Sequence, residues 1–103
     1  MKTAYICSPF RGLVRRNTAY ARRLTRYAVQ QGYAPITPHL YITQVLDDEK
    51  PTEREQGIAV GLKLLEVCDV ILVGCRYGIS EGMNAEIEIA KKLDKEIVTL
   101  CRM

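Results

Sequence analysis

Three groups of residues in the chain have types and spacing suited to chemistry. The first is a single carboxylate, Glu86. On a helical wheel stepped at about 100° per residue from Met83, the residues Ile87, Ile89, Leu93 and Ala90 define an apolar arc. Asn84, Glu88, Lys91 and Lys92 occupy the polar arc, and Glu86 falls at about 300°, in the middle of the apolar one. Burying a charge is costly unless the group is paired or used, and perturbed carboxylates concentrate at active sites. Two readings follow: a functional carboxylate, or half of a buried ion pair with an arginine.

The second group is a pair of loops, Ser8-Pro9-Phe10-Arg11-Gly12 and Gly78-Ile79-Ser80-Glu81-Gly82. Neither is a P-loop or a GxGxxG fingerprint. Each still offers free backbone N–H groups, a hydroxyl and a helix dipole, a combination that suits a phosphate. The third group lies on the helix that carries Arg54. Gly57 and Gly61 fall on its apolar arc with Ile58, Val60, Leu62, Leu64 and Leu65. Each glycine costs about 1 kcal/mol against alanine, so something must approach closely, either another helix or a ligand. Arg54 opens the same face, with Glu86, an acidic residue near Asp48 or a phosphate as possible partners.

These residues need a scaffold, and the hydrophobic pattern supplies alternating strands and helices. Residues 3–7 read as a buried strand, and 14–31 as a helix capped by Gly32. A short strand spans 33–36, limited by Pro35 and Pro38. The stretch from His39 to Lys50 is the least regular. Pro51 opens a helix to Val67, 69–73 is the clearest strand, Ser80 caps a helix to about Leu93, and 96–101 is a last strand. Such alternation implies a parallel sheet of four or five strands in a three-layer α-β-α, Rossmann- or flavodoxin-like α/β fold with right-handed crossovers. In these sheets ligands bind beyond the carboxyl ends of the strands, where both loops lie.

With 103 residues the expectation is one domain, 1–103. No apolar run approaches the ~20 residues that span a bilayer, and the first residues do not form a secretory signal, so a cytoplasmic protein is expected. The cysteines Cys7, Cys68, Cys75 and Cys101 show no CxxC spacing, and His39 is the only histidine. No metal site and no cofactor are expected, and the cysteines read as small buried hydrophobes in a reducing compartment. Net charge is +3. Arg22, Arg23 and Arg26 share one helix side, opposite Tyr20, Leu24 and Tyr27, as on a solvated face. Nucleic acid is not an expected partner, because no stacking aromatics interleave with those arginines. Helix faces left under-covered by a small sheet, with Val29 on the arginine side, point to a homodimer or higher homo-oligomer.

In combination, YICSPFRG, PITPHLY, LDD followed by ER and G, CDVILVG and S-x-G-M-x-x-E-I resemble a small bacterial and phage family of unknown function (DUF4406-like), related to the nucleoside 2-deoxyribosyltransferases. The resemblance covers nearly the whole chain and extends to the 2'-deoxynucleoside 5'-phosphate N-hydrolases. It implies N-glycosidic chemistry on a nucleoside or nucleotide. Glu86 is the implied nucleophile toward an anomeric carbon, and Tyr5 the residue that positions it. Ser8, Arg11, Ser80 and the N–H of Gly82 are the implied grip on a 5'-phosphate, with Pro9, Phe10, Gly12, His39, Arg54 and Met83 lining the site. The transferases carry Asp where this chain has Ser80, so a nucleotide is favoured over a nucleoside. They also carry an acid on the helix before the third strand, where this chain has Gly61. An acid then comes from Asp47, Asp48 or Glu55, or activation of the leaving base is weak, or the chemistry differs. The alternatives are a non-catalytic nucleotide-binding or sensing module, a nucleoside monophosphate phosphoribohydrolase and, more weakly, a nucleic-acid accessory protein using the arginine face.

Overall fold

The computed structural model describes residues 1–103. Four strands, β1 (Thr3–Cys7), β2 (Ala34–Ile36), β3 (Val70–Gly74) and β4 (Glu96–Leu100), form one parallel sheet in the order β2-β1-β3-β4. The register runs Tyr5 beside Ile36 and Ile71, and Gly74 beside Leu100. The expected α/β fold is observed, with the sheet at the lower of the two expected strand counts.

Strand alternation divides the core in two. Tyr5, Cys7, Ile71 and Val73 point to one face, where they pack with Leu65 of α3 (Pro51–Val67) and with Met83 and Ala90 of α4 (Glu81–Lys92). Ile6 and Leu72 point to the other, where α1 (Val14–Gln30) supplies Tyr20, Leu24 and Ala28. In the irregular stretch a 3-10 turn (Pro38–Leu40) leads into the short helix α2 (Ile42–Val45).

The helix ends follow local chemistry. α1 stops at Gly32, which adopts φ +86° while the amide of Tyr33 donates to the carbonyl of Ala28 and that of Gly32 to Val29. Ser80 caps α4, its hydroxyl accepting from the Met83 amide at 3.2 Å.

The cysteines depart from expectation. Cys7 and Cys68 are buried and free, but Cys75 and Cys101 form a disulfide with Cα atoms 4.5 Å apart. The cause is the β3–β4 register: Gly74 lies beside Leu100, so the next residue of each strand comes alongside the other. A spacing of 26 residues carries no hint of that pairing.

Gly74 is also where α1 presses on the sheet. A methyl group there would collide with Leu24 Cδ1 and stand 2.8 Å from the Tyr20 hydroxyl. Leu24 and Tyr20 are fully buried and cannot swing away. Gly74→Ala is expected to destabilise the protein by about 1–3 kcal/mol in denaturant or thermal unfolding. Leu24→Ala is itself costly at a fully buried site, but combined with Gly74→Ala the loss should be smaller than the sum of the two single losses, giving a non-additive pair.

Candidate functional site

A cavity of about 460 Å³ opens at the carboxyl ends of β1 and β3. This is where chain order reverses in the sheet, since β1 leads to β2 on one side and β3 to β4 on the other. Its size is within the ~300–1,000 Å³ usual for small-molecule sites. Four segments wall it: the loop after β1, the turn and α2 after β2, the inward side of α3, and the first turns of α4.

Glu86 projects into this cavity from α4 and is half-buried. The Tyr5 hydroxyl donates a hydrogen bond to its carboxylate. No arginine or lysine pairs with Glu86, so the buried ion-pair reading does not hold. Burial pushes the Glu86 carboxyl above the usual carboxylate range, and the Tyr5 hydroxyl and then the Cys7 thiol pull it back. Burial, reinforced by the Glu86 charge, drives the Tyr5 phenol far above its ordinary value. Tyr5 therefore stays protonated and donates to the ionised Glu86 carboxylate. The Cys7 thiol is raised for the same two reasons and lies 3.8 Å from the Met83 carbonyl.

The two glycines of α3 make room for different neighbours. A Cβ at Gly61 would meet the Tyr5 hydroxyl at 3.2 Å, tighter than ordinary contact. At Gly57 it would rest on Leu46 and Ile42 at 3.6 and 3.7 Å. The close approach at Gly61 is thus the tyrosine that holds Glu86, and Gly61 itself borders the cavity.

In the loop after β1, Ser8 is 1% exposed and its hydroxyl has no hydrogen-bond partner. A buried hydroxyl without a partner costs free energy unless a ligand supplies one. The Ser8 carbonyl accepts from His39 Nε2 at 2.9 Å, and the His39 ring stacks on Phe10 with centroids 5.2 Å apart. Burial pulls His39 below its ordinary value, against smaller upward pushes from the Ser8 carbonyl and Asp48. A neutral ring that donates from Nε2 leaves Nδ1 as an acceptor.

At the mouth, Asp48 receives two guanidinium groups. Arg11 Nε lies 2.6 Å from its carboxylate and Arg54 Nη1 3.2 Å. Of the partners open to Arg54, the fold selects the one near Asp48. Ser80 and Gly82 reach the cavity at the start of α4, where the first N–H groups lack helical partners. The Ser80 hydroxyl accepts as the helix cap, which leaves its proton free to donate. Pro9 and Met83 complete the lining. Gly12, with φ +93°, borders a neighbouring depression, and Tyr5 reaches the cavity only through Glu86. Asp47 and Glu55 do not line it.

One contributor is absent from the sequence reading of the site, and another has a different role from the one expected. Asn17 is buried on α1, and its amide donates to the carbonyls of Phe10 and Arg11 at 3.0 Å, fixing the loop. Asp48 acts as the anchor for two arginines rather than as a free acid. Asn17 has a sequence signal: on the α1 wheel it falls among Tyr20, Ala21 and Leu24, the same kind of misplacement that marks Glu86.

The chain belongs to the family described as Domain of unknown function (DUF7768), which matches residues 2–100. The motif resemblance suggests a DUF4406-like label; the family matched is DUF7768. No curated protein matches in sequence. Among solved structures, the chain resembles a 2-deoxyribosyltransferase from the psychrotolerant bacterium Bacillus psychrosaccharolyticus, with TM-score 0.68 and 17% identity over 94% of this chain and 70% of that one. It also resembles the 2-deoxyribosyltransferase from Leishmania mexicana, with TM-score 0.66 and 20% identity over 97% of this chain. It spans 64% of the Leishmania chain. At these identities the likeness establishes the fold.

The raised Glu86 carboxyl has a consequence for stability. The native state holds the proton more tightly than the unfolded chain, so that contribution is full below the usual carboxylate range and is lost as pH rises through the raised value. Glu86→Gln cannot ionise. Its thermal midpoint should therefore gain on the parent protein's as the pH window is scanned upward from the usual carboxylate range. A gap that stays constant across that window would contradict the assignment.

Proposed function

From a chain of the DUF7768 family with a 2-deoxyribosyltransferase-like fold, we propose a nucleotide-binding protein that cleaves or transfers the N-glycosidic bond of a (deoxy)nucleoside 5'-monophosphate. The observation that carries this reading is the Tyr5–Glu86 pair: a carboxylate held by a neutral donor, unpaired with any cation, facing a nucleotide-sized cavity. A Glu86 carboxylate oxygen bonds to the anomeric carbon as the bond to the base nitrogen breaks. The electron pair leaves with the base, which takes up a proton. Water, or the nitrogen of a second base, then displaces Glu86 from the sugar and restores the carboxylate. Tyr5 fixes the attacking oxygen throughout.

The 5'-phosphate is assigned to the loop side. There the free Ser8 hydroxyl, the Ser80 proton and the N–H groups at the start of α4 belong to residues that line the same cavity. Arg11 exchanges part of its contact with Asp48 for the phosphate. Phe10 and His39 offer a flat apolar wall, and Arg54 stays on Asp48 to hold the mouth. Asp48 is the only one of the three sequence-named acids on the cavity wall, and it is engaged by arginines. Glu53, also on the wall, is held by Lys50 and the Asp47 amide, so the leaving base takes its proton from solvent or from the exposed Glu81, and slow turnover is expected. Gly61 favours a second reading, a binding or sensing module that retains the pocket without the acid.

Incubation with a panel of nucleotides and nucleosides, with free base followed by chromatography, separates the two. Base release that falls at least about a thousandfold in Glu86→Ala supports the nucleophile, and release that survives it refutes that role. Thermal stabilisation by a nucleotide without base release favours the sensor. Tyr5→Phe should cost about 10–100-fold in kcat. It should also move the acidic limb of the pH profile upward, because the lost hydrogen bond is one that lowers the Glu86 carboxyl. Ser8→Ala should weaken monophosphates by about tenfold and leave nucleosides unaffected.

The same reading includes a second copy of the chain against α3. Val60 and Val67, seven residues apart and so on one side of the helix, are 40% and 58% exposed there. Sedimentation at micromolar concentration should show a dimer or larger species, and a monomer alone would remove this part of the proposal.

A further inference from the structure

The charges of this chain are segregated along the sequence. Residues 1–46 contain no aspartate or glutamate, and all 12 acidic residues follow. The fold turns that asymmetry into a surface. On α1, Arg15, Arg22 and Arg26 share one exposed stripe, and Arg16 and Arg23 form a second beside it. None of these five is in ion-pair contact with a carboxylate.

The other long helices are built differently. Three exposed lysines on or beside them pair with glutamates three residues away: Lys50, just before α3, with Glu53, Lys63 with Glu66, and Lys91 with Glu88, while Lys92 is unpaired. On α1 the neighbours three and four residues apart, such as Arg22, Arg23 and Arg26, carry like charges that repel and weaken the helix. Every cation on this helix is arginine, the side chain whose planar fork matches phosphate.

The sequence argument against nucleic acid rests on missing aromatics, and the fold supplies one. Tyr77, in the loop after β3, comes against the start of α1 and is 37% exposed. The Arg16 guanidinium lies 4.0 Å from its ring centroid and that of Arg76 5.8 Å, while Tyr20 supports the ring edge-on at 5.1 Å. An aromatic flanked by arginines at the end of a basic stripe has the makings of a single-strand platform, since stacking tolerates any base and arginine reads the backbone.

We propose that the arginine face of α1, with Tyr77 at its end, binds single-stranded nucleic acid independently of the cavity. The stripe from Arg15 to Arg26 rises about 16 Å, room for several successive phosphates. Binding is electrostatic in bulk, with one stacked base at Tyr77.

The test is fluorescence anisotropy with labelled mixed-sequence 20-nucleotide strands, and the matching duplex, at about 50 mM salt and upward. Micromolar binding of single strands is expected, weakening steeply with salt. The triple variant Arg15→Gln, Arg22→Gln, Arg26→Gln should bind at least about tenfold more weakly and flatten the salt slope by about 2, at roughly 0.7 per phosphate contact. Its melting temperature should hold or rise as repulsion is relieved. Tyr77→Ala should lose about 5–50-fold with the slope unchanged, and Tyr77→Phe should retain binding. Glu86→Ala should bind strands as the parent does. The proposal is overturned if strands do not bind, if the triple variant binds as the parent does, or if Tyr77→Ala changes nothing while inorganic polyphosphate competes equally. It is overturned equally if vesicles of anionic lipid bind in place of strands, or if the triple variant changes the sedimentation of the protein alone, which would assign the face to a second copy.

Discussion

The hydrogen bond from Tyr5 to Glu86 joins the two halves of this structure, and much of the surrounding geometry serves it. Tyr5 comes from the innermost part of the sheet, flanked by β2 and β3, so its position is set by backbone pairing on both sides. Glu86 comes from α4, whose rotation is fixed by the Ser80 cap at one end and by Met83 and Ala90 in the core. Gly61 of α3 leaves the phenol room where it meets the carboxylate, since a Cβ there would stand 3.2 Å from the Tyr5 hydroxyl. A side chain there would push on the tyrosine oxygen and, through it, on the carboxylate. The position that lacks an acid is the position that gives Tyr5 its space.

Around that pair, polar groups are held by second contacts that leave one function open. Ser80 spends its acceptor on the helix cap and keeps its proton. His39 spends its Nε2 proton on the Ser8 carbonyl and keeps Nδ1. Ser8 is the extreme case, its carbonyl engaged and its hydroxyl buried without a partner. Asn17 keeps the loop that carries Ser8 in place from the opposite side of the sheet. Such groups are preorganised: their orientation is set before any ligand arrives.

How much of this is visible in the sequence depends on range. Strands and helices were legible because the periods of two and 3.6 residues are local, and the caps at Gly32 and Ser80 are written in single residues. Glu86 was legible because one charged residue interrupts an apolar arc, and Asn17 obeys the same rule on α1. The partner of Arg54 was not legible, because the choice among Glu86, Asp48 and a ligand depends on how the segment after β2 folds over α3. Nor was the Cys75–Cys101 link, since it follows from β3 and β4 being neighbours at a given register. The placement of Tyr77 over Arg16 has the same origin: residues remote in sequence meet where two loops leave one edge of the sheet.

The link between Cys75 and Cys101 closes a ring that contains α4 and β4 entire, and with them Glu86. β4 is an edge strand with one hydrogen-bonded neighbour, and edges are where native proteins first open. A covalent tie at that edge limits how far the last strand can peel from β3, and so how far the carboxylate-bearing helix can drift from the tyrosine that aligns it. Amide exchange in α4 then becomes a function of thiol state, coupling the redox history of the molecule to the mobility of its central acid.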